Sequence, residues 1–173
     1  AKLTAPHHPM VFNGLFCLSH PEVHTLSCGA SKPSDFDIHL QTAELSGQAA
    51  QVVRPIVERL EKEMERVLGK EWLLHWQEGL PEWDVTPGNI NIPWMLRLRN
   101  LALAFDMIEF GKMRYNLFGN GGHWFPGKRA DNLHELDLSA SLSRSPFKDK
   151  IPAMLKETHD MLAGEEKKRL RQD

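Results

Sequence analysis

Cysteine is nearly absent from this chain: it has two, Cys17 and Cys28, and no Cys-x-x-Cys spacing. That excludes a disulfide-stapled scaffold and the paired-cysteine pattern of zinc or redox sites. Buried reduced thiols are expected instead. Net charge is lacking too. A formal charge of −2 and a pI near 6.5 give no basic excess, so neither nucleic acid nor an anionic membrane is an expected partner. There is no apolar run of about 18 residues and no signal-peptide pattern. A soluble, cytoplasmic protein is the expectation.

What is present is helical periodicity. With 41% apolar and 25% charged residues the chain can bury a core, and its length suits one or two small domains. From Gln48 to Trp76, the residues Val53, Ile56, Val57, Leu60, Met64, Val67 and Leu68 form one helical stripe. Glu58 and Lys62 pair on the solvated face, and Gly69 is expected to break the helix in two. A second helix is expected over 93–118, where Trp94, Leu98, Leu101, Phe105 and Ile108 repeat at helical spacing behind Pro93. It is apolar on more than one side and should be the most buried element. A third is expected over 152–162, with the charged tail from Gly164 helical at first and then frayed.

Other features carry no site. The five tryptophans, without a basic stripe, read as core or interface anchors. The nine histidines show no i, i+4 pair on a helix with a carboxylate base, and His7-His8 falls in a loose terminus, so no metal site is expected. Gly119 to Trp124 follows a helix and precedes Phe125-Pro126-Gly127; it reads as a tight connector, not a phosphate loop.

Residues 18–40, LSHPEVHTLSCGASKPSDFDIHL, break the helical pattern. Val23 to Ser27 reads as a short strand, Cys28-Gly29-Ala30-Ser31 as the turn off it, and Pro33 with Asp35 and Asp37 as an acidic helix start. One strand cannot satisfy its own backbone groups and needs neighbours that the chain does not obviously provide. The run resembles the last barrel strand and helix of aldo-keto reductases, where an apolar strand leads to Gly-Ala-Ser, a Pro and an acidic helix start. Pro9 to Pro21, PMVFNGLFCLSHP, is similar to that family's preceding helix. The resemblance covers residues 1–45 and implies a (β/α)8 barrel of roughly 250 residues. This chain is then expected to be a carboxy-terminal portion, partnered with the remainder of the barrel.

The resemblance also implies a chemistry, hydride transfer from NADP or NAD to a small-molecule carbonyl substrate by an Asp, Tyr, Lys and His set on earlier strands. None of that set lies here, so no catalytic residue and no activity are expected of this chain alone. The family's grip on the adenosine end of the cofactor maps onto Gly29, Ala30, Ser31, Lys32, Asp35 and His39. Gly29 lets the backbone approach closely, Ser31 and the helix amides can donate to phosphate, and Lys32 adds charge. Asp35 stands where many members carry the arginine for the 2′-phosphate, and His39 where an asparagine is usual. A carboxylate there repels phosphate and can accept from a ribose hydroxyl, as in NAD-specific sites. Read without the family, Ser31 and Asp35 only cap the helix.

Asn91-Ile92-Pro93-Trp94-Met95-Leu96 and Lys150-Ile151-Pro152-Ala153-Met154-Leu155 form an internal repeat, each preceded by another proline, Pro87 and Pro146. With Met113-Arg114-Tyr115-Asn116-Leu117 between them, this layout resembles the helical two-cluster ferredoxin domain that follows the barrel in some aldo-keto reductases. Where that domain has cysteines this chain has Gln77, Leu80, Trp83 and Thr86, then Glu135, Leu138, Ser141 and Ser145. Iron-sulfur clusters need thiolates, typically four each, so no cluster is expected, and Leu80, Trp83 and Leu138 are expected to fill the vacated volume. Without the family, the repeat is two proline-started helices of an ordinary bundle.

The expected fold is thus mainly α. Residues 1–45 would be a barrel remnant of helix, strand and helix, packed with a ferredoxin-like helical extension over 46–173. Two function classes follow. One is the carboxy-terminal part of an NAD(P)H-dependent aldo-keto reductase; the other is a non-catalytic helical module for partner or oligomer contact, and a homo-oligomer suits either.

Overall fold

The computed structural model describes residues 3–120 and 124–165. They are mainly helical and fall into two compact units, residues 1–63 and 64–173.

In the first unit, α1 (Pro9–Leu18) packs on α2 (Phe36–Leu45), and α3 (Ala49–Leu68) follows, running on past the boundary between the units. Pro9 opens α1, where its missing N–H costs nothing. His8 Nδ1 accepts from the Met10 N–H at 3.2 Å, so a histidine expected in a loose terminus serves as a helix cap. Val11, Leu15, Ala49 and Val53 make a small core. Along the α3 stripe Val53 and Ile56 are buried, and Val57, Leu60, Met64, Val67 and Leu68 are half-buried. Arg59 on α3 donates to the carbonyls of Leu3 and Ala5 at 2.7 and 3.0 Å, tying down the preceding segment.

The strand expected over Val23–Ser27 does not form. Residues 23–30 have no regular structure, with Val23 and Leu26 half-buried and the rest exposed. The physical reason lies in the sequence: a strand is held by ladder bonds to neighbours, and among the described residues none lies alongside. The expected helix start at Pro33 is present as a 3₁₀ turn, Pro33–Asp35, that leads into α2. Both thiols are free, but Cys17 is half-buried and Cys28 exposed. The expectation of burial fails at Cys28, which stands with Ser27, Gly29 and Ala30 in an exposed run without regular structure.

In the second unit, Gly69, at φ +84°, ends α3 and caps α4 (Lys70–His75), the expected break. The single helix expected over 93–118 is two, α5 (Ile92–Phe105) and α6 (Ile108–Tyr115). Asp106 takes the left-handed conformation (φ 53°, ψ 35°) and stops α5, a conformation that a short polar side chain tolerates. Asn91 caps α5, its Oδ1 accepting from the Trp94 N–H at 3.2 Å. As expected, α5 is deeply buried: Ile92, Met95, Leu96 and Leu98 have no exposed surface. The short α7 (Ser139–Leu142) and then α8 (Ile151–Leu162) complete the unit, and α5, α6 and α8 pack on one another.

The core holds Trp72, Tyr115, Phe118, Leu142, Ile151, Leu155 and Leu162 with the α5 residues. Trp76 and Trp94 pack half-buried against it. Trp124, 59% exposed, departs from the anchor expectation. The one pairing of extended chain among the described residues is a parallel bridge between Ile90 and Lys128. Residues 121–123 of the expected connector lie outside the described residues, as does the tail from 166; Gly164 and Glu165, expected to be helical, are not. No helix among the described residues is long and apolar enough to cross a membrane.

Candidate functional site

The residues singled out for a cofactor stand on the segment that leads into α2. Gly29, Ala30, Ser31 and Lys32 are exposed, Asp35 and His39 half-buried. Asp35 Oδ2 accepts from the Ser31 N–H at 2.9 Å and from the Lys32 N–H at 3.2 Å. His39 reaches back along α2, its Nε2 lying 3.2 Å from the Gly29 carbonyl. The six residues are therefore brought together, but the amides proposed for phosphate are held by the chain's own carboxylate. Charge-assisted bonds of this kind are the strong ones. Lys32 has no ion pair, and Asp35 Oδ1 no partner, among the described residues.

In the second unit the expected cluster-ligand places fall on two segments, 77–86 and 135–145, the second of which includes α7. Gln77 and Glu135 are exposed, Leu80, Trp83 and Ser141 half-buried, and Thr86, Leu138 and Ser145 buried. Leu138 belongs to the core and Leu80 packs against it, whereas Trp83 is only half-buried, so it fills less of the volume than expected. The two residues directly before a proline are accounted for locally. Thr86 Oγ1 donates to the Glu82 carbonyl at 2.8 Å, and Ser145 Oγ accepts from the Phe147 N–H at 3.3 Å. Between the two segments, a Cβ on Gly79 (φ +67°) would stand 2.2 Å from the Arg144 carbonyl oxygen, so only glycine permits this approach. Bonds from Ser139, hydroxyl first and N–H second, hold the Asp137 carboxyl below the usual carboxylate range. Among the described residues no three His, Cys, Asp or Glu side chains converge as metal ligands.

The repeat reappears as matched packing: Ile92 and Ile151, and Leu96 and Leu155, all have no exposed surface, on two helices that pack together. Beside them lies a polar knot that the sequence reading missed. Asn116 Oδ1 accepts from Arg129 at 2.8 Å and from the Gly164 N–H at 3.0 Å, and its Nδ2 donates to the Lys112 and Leu162 carbonyls at 2.7 and 3.0 Å. The segment Arg114-Tyr115-Asn116 marks part of the knot in the sequence; partners that far along the chain leave no local signal.

No family model, no curated protein and no solved structure matches this chain.

Proposed function

We propose that this chain is the carboxy-terminal part of a cytoplasmic aldo-keto reductase, an NAD(P)H-dependent oxidoreductase of carbonyl compounds. One observation carries the reading. An α-helix, an irregular segment whose residues 24–30 make no backbone-to-backbone hydrogen bond among the described residues, an exposed glycine turn and a proline-started helix follow one another over Pro9–Leu45. That order supports the reading, because a barrel's last helix, strand and helix follow the same order and a strand there would form only against neighbouring strands.

The residues fit a cofactor's adenosine end in part. Lys32 offers an unpaired charge and Asp35 Oδ1 an unpaired acceptor suited to a ribose hydroxyl, while the Asp35 carboxylate opposes a 2′-phosphate. NAD is therefore favoured over NADP. The nicotinamide supplies hydride when bound; this chain's part is to hold the far end of the cofactor. Residues 46–173 are read as a ferredoxin-like scaffold without clusters, since no thiolate stands at any ligand place.

A second reading, the non-catalytic helical module, has one observation in its favour: the Ser31 and Lys32 amides are already satisfied by Asp35. The coding frame upstream of Ala1 separates the two. The reductase reading expects alternating strands and helices there that carry an Asp, a Tyr, a Lys and a His; an upstream frame without them overturns it.

A further inference from the structure

The surface of the second unit carries a continuous ladder of two cations and three rings. The Arg97 guanidinium carbon lies 5.3 Å from the centroid of Trp94, and Trp94 meets Phe125 edge to face at 5.7 Å. Arg114 then lies between two rings, 5.5 Å from Phe125 and 5.2 Å from Phe110. The ladder joins α5, the loop at Phe125 and α6. Met113 and Trp124, the sequence neighbours of Arg114 and Phe125, are 49% and 59% exposed.

Neither Arg97 nor Arg114 has a carboxylate partner among the described residues, and Glu109, the acid on α6, is engaged by Lys112 at 3.1 Å. A guanidinium held on an aromatic face keeps its N–H fork in place, so less freedom is lost when it grips a carboxylate with two bonds. Arg, Trp, Phe and Met together are also the composition of interface centres. We propose that this ladder docks an acidic segment of another protein, carboxylates on the two forks and aliphatic side chains on the solvent-facing parts of the half-buried rings. A nucleic acid is the poorer fit, because its binding rests on many phosphate contacts and the chain's net charge is −2. The inference does not depend on the reductase reading.

The test uses the full chain and three probes: a blocked peptide of alternating glutamate and leucine, the same peptide with glutamine for glutamate, and a DNA duplex. The readout is the side-chain N–H signals of Arg97, Arg114 and Trp94 in nitrogen-15 spectra. The glutamate peptide should shift all three, the glutamine peptide and the duplex none. Arg97→Lys, at an exposed position that keeps the charge and loses the fork, should weaken peptide binding about tenfold. The proposal is overturned by unmoved signals with the glutamate peptide, by an equal response to either control, or by an Arg97→Lys chain that binds as tightly as the parent.

Discussion

The hydroxyl of Tyr115 lies 2.8 Å from Nδ1 of His159, a residue 44 positions further on, and also accepts from the Ala130 N–H at 3.1 Å. With a lone pair engaged by Ala130, the hydroxyl still has its proton to offer on the side of His159. One buried oxygen thus ties α6 to α8 and to the Ala130 loop. Tyr115→Phe keeps the ring and leaves two groups without a partner, so it should cost about 1 to 3 kcal/mol at neutral pH. Denaturant titration at constant slope measures this.

The same group predicts an alkaline limit. Burial is the main cause that pushes the Tyr115 hydroxyl well above its ordinary value of 10.0. The folded state therefore holds the proton after the unfolded chain has lost it. Stability from this group is complete below pH 10 and falls above it, at about 1.4 kcal/mol per pH unit while one proton separates the states. Tyr115 is the single tyrosine, so tyrosinate absorbance reads it without interference. Its rise should coincide with unfolding, and the stability gap between the parent and Tyr115→Phe should narrow as pH climbs.

Two tryptophans should respond differently to truncation. Trp72 is 6% exposed, and its Nε1–H donates to the buried Asn100 Oδ1 at 2.9 Å. Trp72→Ala should cost roughly 3 to 5 kcal/mol. Trp83 is half-buried and lies outside the core cluster, so Trp83→Ala should cost less than half as much. Unfolding midpoints of the two variants, compared with the parent, decide the order.

How legible this was depended on whether the signal was local. The start of α8 at Ile151 and the break at Gly69 could be read because proline and glycine act on their own backbone. The break at Asp106 could not, since an aspartate in a left-handed turn has no mark that distinguishes it from one on a helix face. Val23–Ser27 reads as a strand by residue type, but strand formation is a property of pairs, and among the described residues nothing pairs with it. Within the candidate site, the proximity of Ser31 and Asp35 followed from their spacing. That Asp35 would take the Ser31 and Lys32 amides for itself was the capping alternative, which spacing alone left open. The link from Tyr115 to His159 has no counterpart in any local pattern.

The cofactor turn offers a paired contrast. Asp35→Ala removes the acceptor of two amides and should cost about 1 kcal/mol, as for loss of a helix cap. Lys32→Ala, on an exposed side chain without an ion pair, should stay within roughly 0.5 kcal/mol. In an intact reductase the order reverses for ligand: Lys32→Ala should weaken cofactor binding, and Asp35→Ala should raise affinity for NADPH relative to NADH. Thermal unfolding and cofactor titration read the two effects separately.

The most direct test of the reductase account is steady-state carbonyl reduction with NADH and NADPH on an aldehyde panel, comparing this chain with the protein extended through its upstream coding frame. The account predicts turnover by the extended protein, faster with NADH, and none by residues 1–173 alone. Turnover by this chain, or none by the extended protein with either cofactor, would contradict it.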